Sequence, residues 1–144
     1  MSKKIYFYTR IKYYDNTDFF LKQKLEFVTN FHNATFKQNK KFKYQSYLES
    51  NTSSNSSYAD VDINSSPELV TWGKLSPKVI SETIPTIKEI NVETAAIQYQ
   101  YYVRAKTSSG NETFLIKEFY RVRYSGGRIY LLYFKRNMEA DFNP

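Results

Sequence analysis

The chain has 144 residues, 41% hydrophobic and 24% charged, which excludes wholesale disorder and leaves room for one domain with its own core. With no cysteine and a single histidine, His32, it has no disulfide framework, thiolate zinc site or thiol catalysis, and no centre that needs two imidazoles. Its formal charge is +7, and 18% of its residues are aromatic, with 14 Tyr and 11 Phe against one Trp.

Met1-Ser2-Lys3-Lys4 is basic, but Arg10 and Lys12 interrupt the following stretch too early for a secretory signal. No run approaches the ~18–20 apolar residues that cross a bilayer, so the expectation is a cytoplasmic protein that does not enter the membrane. Asn-X-Ser/Thr triplets at Asn33, Asn51, Asn55, Asn64 and Asn111 then read as by-products of Asn- and Ser-rich composition rather than glycosylation sites.

Residues 3–14 alternate aromatic and β-branched side chains and predict a strand. Asp15 or Thr17 supplies cap chemistry, with Asp18 at the positive end of a helix over 18–37. Phe20, Leu21, Leu25, Phe27, Val28, Phe31 and Ala34 form an apolar arc along it that needs a large surface to cover it, most simply a sheet. Lysines 37, 40 and 41 follow at its negative end. Residues 42–48 predict a short strand, and 49–57, almost all Ser, Asn and Thr, predict a loop. A brief strand over 58–64, a turn at Ser65-Ser66-Pro67 and a return strand over 69–74 come next. Ser76 and Pro77 suit the cap and first turn of a short helix over 78–84, limited by Pro85.

The last third is the clearest. From 95 to 107 the odd positions carry Ala95, Ile97, Tyr99, Tyr101, Val103 and Ala105, against Gln98, Gln100, Tyr102, Arg104 and Lys106 among the even ones. This predicts a long half-buried strand. Residues 113–124 alternate likewise, with Phe114, Ile116, Glu118, Tyr120, Val122 and Tyr124 on one face, and Ser125-Gly126-Gly127 turns the chain into a strand over 128–135. The whole reads as a single α+β domain over 1–144, with a strongly bent antiparallel sheet wrapped around a long N-terminal helix.

Phe119-Tyr120-Arg121-Val122-Arg123-Tyr124-Ser125-Gly126-Gly127-Arg128-Ile129 resembles the penultimate turn of nuclear-transport-factor-2-like domains, where an aromatic–X–Val/Phe–X run precedes a Gly-rich turn and a final strand. Asp60-Val61-Asp62-Ile63 with Trp72-Gly73-Lys74 is similar to that family's central portion. The early strand at 3–14 departs from the family, which usually opens with helix, and leaves the related cystatin-like order (strand, helix, then strands) open. The resemblance implies a cone-shaped α+β fold, and members that either catalyse isomerase- or cyclase-like reactions or only bind. Where cyclase-like members carry an acid after the last strand, Asn137 stands here, an amide that cannot serve as a carboxylate base.

Glu118 is the odd member of its apolar row. Burial should raise its pKa, the preparation of an acid or base; the alternative is a structural pair with Lys24 or with a tyrosine hydroxyl. Tyr99, Tyr101, Tyr120 and Tyr124 either line a ligand pocket beside it or form an aromatic core. His32, with no acidic orienter legible in the sequence, reads as a structural histidine. Asp60 and Asp62 share a strand face and could hold a cation or simply be solvated.

On the opposite face Gln100, Tyr102, Arg104, Phe119 and Arg121 read as a partner surface, with apolar-row pairing expected to set Tyr102 near Phe119 and Arg104 near Lys117. The composition suits a homodimer interface; aromatics ringed by cations also suit single-stranded nucleic acid, though no known nucleic-acid motif accompanies them. No cofactor is expected, because neither a phosphate loop nor a nucleophile elbow is present. The resulting expectation is a noncatalytic homodimeric domain that binds a small apolar or aromatic ligand or a protein partner. The alternatives are an isomerase- or cyclase-like enzyme, a basic nucleic-acid-binding accessory protein, and a component of a conjugation or secretion complex.

Overall fold

The computed structural model describes residues 19–37, 42–51 and 57–141. The expected strand at 3–14, the cap residues Asp15, Thr17 and Asp18, and Lys40 and Lys41 lie outside them. Helix α1 spans Leu21–Thr35, inside the expected 18–37. Its N-cap residue Phe20 is left-handed (φ 51°), and no side chain caps it. Its buried stripe, Leu21, Lys24, Val28, Phe31, His32 and Thr35, recurs at three- and four-residue spacing.

After it the chain makes a 3-10 turn at Gln45–Tyr47, β1 at Asp60–Asp62, α2 at Pro67–Val70, β2 at Lys78–Val79 and β3 at Thr86–Ile90. The long strands β4 (Thr94–Thr107), β5 (Gly110–Ser125) and β6 (Arg128–Ala140) follow. All pairings are antiparallel, in the order β1-β6-β5-β4-β2, with β3 also on β4. The fold is therefore α+β: among the described residues, a bent six-stranded sheet with one long helix, not closed into a barrel. Among the described residues no helix is long and apolar enough to cross a membrane.

The meander follows from its turns. Gly126 and Gly127 both have positive φ (60° and 78°), the pair of conformations that a two-residue hairpin turn needs and that side chains resist. An irregularity shapes the β5–β6 pair: Arg121 opposes Tyr133 but Val122 opposes Leu131, so Leu132 is an extra residue that bends β6. Phe31 sits at the centre of the core, 5.3 to 5.6 Å ring to ring from Phe42, Tyr120 and Phe134.

Three expectations give way. Residues 42–48 are not a strand: Tyr44 and Tyr47 turn back to pack their rings on Phe27, at 5.6 and 4.9 Å, so ring packing replaces ladder pairing. The return strand over 69–74 is instead α2 and its turns, with Pro67 in the first helical turn and the Ser66 hydroxyl accepting from the Leu69 amide. The helix over 78–84 is instead the short strand β2; Ser76 takes φ 47°, and Lys78 and Val79 pair with Arg104 and Val103. Residues 86–90, not read as a strand, form β3. β2 and β3 between them cover much of the free edge of β4, which would otherwise show open amides and carbonyls.

Candidate functional site

The inner face of the sheet gathers an ionised network. Tyr99 of β4, Glu118 of β5 and Arg136 of β6 stand in one row across three strands. Tyr120 is two residues beyond Glu118 on the same face, and α1 lowers His32 onto the row. Glu118 Oε1 accepts from His32 Nδ1 at 2.7 Å and from the Tyr120 hydroxyl at 2.7 Å, while Oε2 accepts from the Tyr101 hydroxyl. The His32 ring stacks on Tyr99 at 4.4 Å, and the Tyr99 hydroxyl bonds Thr29 at 3.0 Å. All of these side chains except Thr29 are buried.

Arg136 is buried too. Its guanidinium lies 3.5 Å over the Trp72 ring and donates to the carbonyls of Val70 (2.7 Å) and Leu69 (2.9 Å), closing the C-terminal end of α2. Its Nε and the Trp72 indole nitrogen are buried without a partner among the described residues.

The electrostatics follow from this packing. Burial by itself would raise the Glu118 pKa, but the His32 charge and hydrogen bond, the Arg136 charge and the Tyr101 hydroxyl outweigh it, and the net shift is downward. The expected upward shift is thus overturned, because the sequence hid His32 and Arg136, which face the carboxylate. Since Glu118 is held ionised, His32 Nδ1 must be the donor in their bond. Burial, opposed by the Thr29 bond and aided by the Glu118 charge, pushes the Tyr99 hydroxyl up to about 12. Burial and the same carboxylate push Tyr101 and Tyr120 well above the ordinary tyrosine value. A carboxylate with a lowered pKa and three donors already on it is poorly prepared to abstract a proton.

Of the pocket residues expected from the sequence, Tyr99, Tyr101, Glu118 and Tyr120 converge. Tyr124 does not join them; it is half-buried and stacks on Phe20 at 4.2 Å. Two partners are corrected. Glu118 pairs with His32, not Lys24, so His32 does have an acidic orienter. Lys24, buried in the helix stripe, instead donates to the carbonyls of Phe19 (2.6 Å), Asn91 (2.7 Å) and Val92 (3.0 Å), tying α1 to the β3–β4 turn. Sequence reasoning missed Arg136 and Trp72. Arg136 alternates with Phe134 and Met138 in β6, and that alternation was the available signal.

Asp60 accepts from the Asn137 side chain at 3.1 Å and Asp62 from the Asn64 amide at 2.8 Å. Among the described residues no cluster of three or more His, Asp or Glu could hold a metal.

The outer face is different in kind. Tyr102 (37% exposed), Tyr130 (40%), Leu132 (42%) and Tyr133 (39%) lie open, with Phe119 half-buried 6.2 Å from Tyr133. Tyr102 opposes Leu115 and Phe119 opposes Gln98, so the expected juxtapositions of Tyr102 with Phe119 and Arg104 with Lys117 are corrected; the true register is set by the two-residue turn between Thr107 and Gly110. Arg121 pairs with Glu89 at 3.0 Å across Ala96, which they cover. Arg104 and Lys78 stand directly opposite each other, Gln100 opposes Lys117, and Lys135 lies across from Phe119. Arg123 and Arg128 both lie over the Tyr130 ring, at 5.7 and 5.0 Å. Among the described residues none of Lys78, Arg104, Lys117, Arg123, Arg128 or Lys135 has a carboxylate within ion-pair distance.

The chain matches no protein-family model, no curated protein and no solved structure.

Proposed function

We propose that this chain is a noncatalytic binding domain, of the cone-shaped type that its Gly-rich final turn resembles, and that it works through the outer face of its sheet. The observation that carries this reading is the group of exposed tyrosines among cations of which, among the described residues, only Arg121 has a carboxylate within ion-pair distance. Inside, the hydroxyls, the carboxylate and the imidazole are bound to one another, so a small ligand seated among the tyrosines has to displace bonds already made. Outside, rings and charges are left for something that lies across the strands, as at the core of an interface.

Replacing Tyr102→Glu together with Tyr133→Glu is expected to leave the thermal midpoint unchanged while abolishing association, read as sedimentation of the chain with itself and as retention on an immobilised polyanion. The neutral apolar probe N-phenyl-1-naphthylamine is expected to show no saturable site. One-to-one probe binding that Tyr101→Phe removes, with association indifferent to the outer-face pair, would overturn the reading in favour of an interior pocket.

A further inference from the structure

We infer that the occupant of the outer face is a single-stranded polynucleotide, an inference that rests on the outer face being the working surface. Three features of that face ask for a polyanion with flat bases. First, Lys78 and Arg104 are exposed and directly opposed on neighbouring strands, a like-charge placement that destabilises a sheet unless an anion bridges it. Second, Arg123 and Arg128 converge on one open ring, Tyr130, and leave both guanidinia without a carboxylate among the described residues. Third, these two cationic ends are joined by open aromatic surface. Thr113, across from Arg104, and Arg123 lie on the same strand, ten residues or roughly 33 Å of chain apart, with Phe119 and Tyr133 between them.

Phosphates pair with point charges while bases stack on rings regardless of sequence, and a sheet that alternates the two offers both at once. A second copy of the chain fits less well. A two-fold contact lays the same patch against itself, which sets this basic strip near its own image. The acids of the face include Glu89, bonded to Arg121, Asp60 and Asp62 on the flanking strand β1, and Glu139 near the end of β6; among the described residues none of them stands within ion-pair distance of Lys78, Arg104, Arg123 or Arg128.

The test is fluorescence anisotropy of the full chain with a labelled twenty-nucleotide oligothymidylate, its RNA counterpart, a duplex of equal length, and inorganic polyphosphate as competitor. The single strands are expected to bind, with log K falling by about 0.7 per unit log salt for each phosphate contact. Lys117→Ala or Arg123→Ala should flatten that slope by about 0.7. Tyr133→Ala should weaken binding by about 5- to 100-fold at an unchanged slope and an unchanged thermal midpoint.

Polyphosphate or duplex binding as tightly as the single strand, with Tyr133→Ala indifferent, overturns the inference, since charge attraction alone explains it. Absence of oligonucleotide binding also overturns it, and sedimentation then separates two cases. A dimer dissolved by Tyr102→Glu with Tyr133→Glu keeps the outer face as the working surface with another occupant. A chain that stays monomeric and is not retained on a polyanion removes that reading as well.

Discussion

The two faces of β5 carry the same kinds of group and use them in opposite ways. On the inner face Glu118 is ringed by His32, Tyr101 and Tyr120 and stands beside Arg136, with each charge answered within a few ångströms. On the outer face, one residue away in sequence, Lys117 is exposed and Phe119 half-buried, and among the described residues the one ion pair there, Arg121–Glu89, is exposed. A charge withdrawn from water must find its partners within the fold, whereas a charge left in water is free to take them from another molecule. The inner face therefore carries the stability, and the recognition proposed above falls to the outer one.

The largest expected effect is on the inner face. Glu118→Ala strands Arg136 without its counter-charge and leaves the His32 Nδ1 donor and two buried hydroxyls unpaired. A loss of about 3–5 kcal/mol in urea unfolding is expected. A loss under about 1 kcal/mol would show that the network is not what holds α1 to the sheet. Tyr101→Phe removes one donor to the carboxylate and should cost about 1–3 kcal/mol by the same measurement.

Next comes the pH profile. Glu118 has its folded pKa lowered from the ordinary 4.5, so the unfolded chain takes up the proton first. Its stabilisation is complete above about 4.5 and is lost as pH falls through the lower folded value. The buried tyrosines run the other way. Their folded values lie above the ordinary 10.0, and that of Tyr99 is near 12. Stability should therefore be level below about pH 10 and decline as pH rises through the folded values. Unfolding by circular dichroism across the pH range checks both ends; a profile flat down to pH 2 would remove Glu118 from the account of stability.

The smallest effects belong outside. Tyr133→Ala should change unfolding free energy by no more than about 0.5 kcal/mol, and Glu89→Gln by about 0–1 kcal/mol, screened by salt. Either one costing as much as Tyr101→Phe would mean that the outer face is structural after all.

How much of this was legible in the sequence varies along the chain. The long strands were readable because a half-buried strand repeats every two residues, and the turn at Gly126-Gly127 separates the last two. The convergence of Tyr99, Tyr101, Glu118 and Tyr120 was readable from the same alternation. Residues 69–84 were misread because short segments take whatever conformation their neighbours leave open: α2 is capped by Arg136 from β6, and β2 lies along β4's edge.

Alternation along β4 and β5 is local, since successive side chains must point to opposite sides, so the chain alone settled which residues face inward. Partnership is not local. His32 meets Glu118 across 86 positions, and Arg136 meets Val70 across 66. Only the packing of α1 and α2 on the sheet brought those groups within a bond's length, and with them the direction in which the carboxylate's pKa moves.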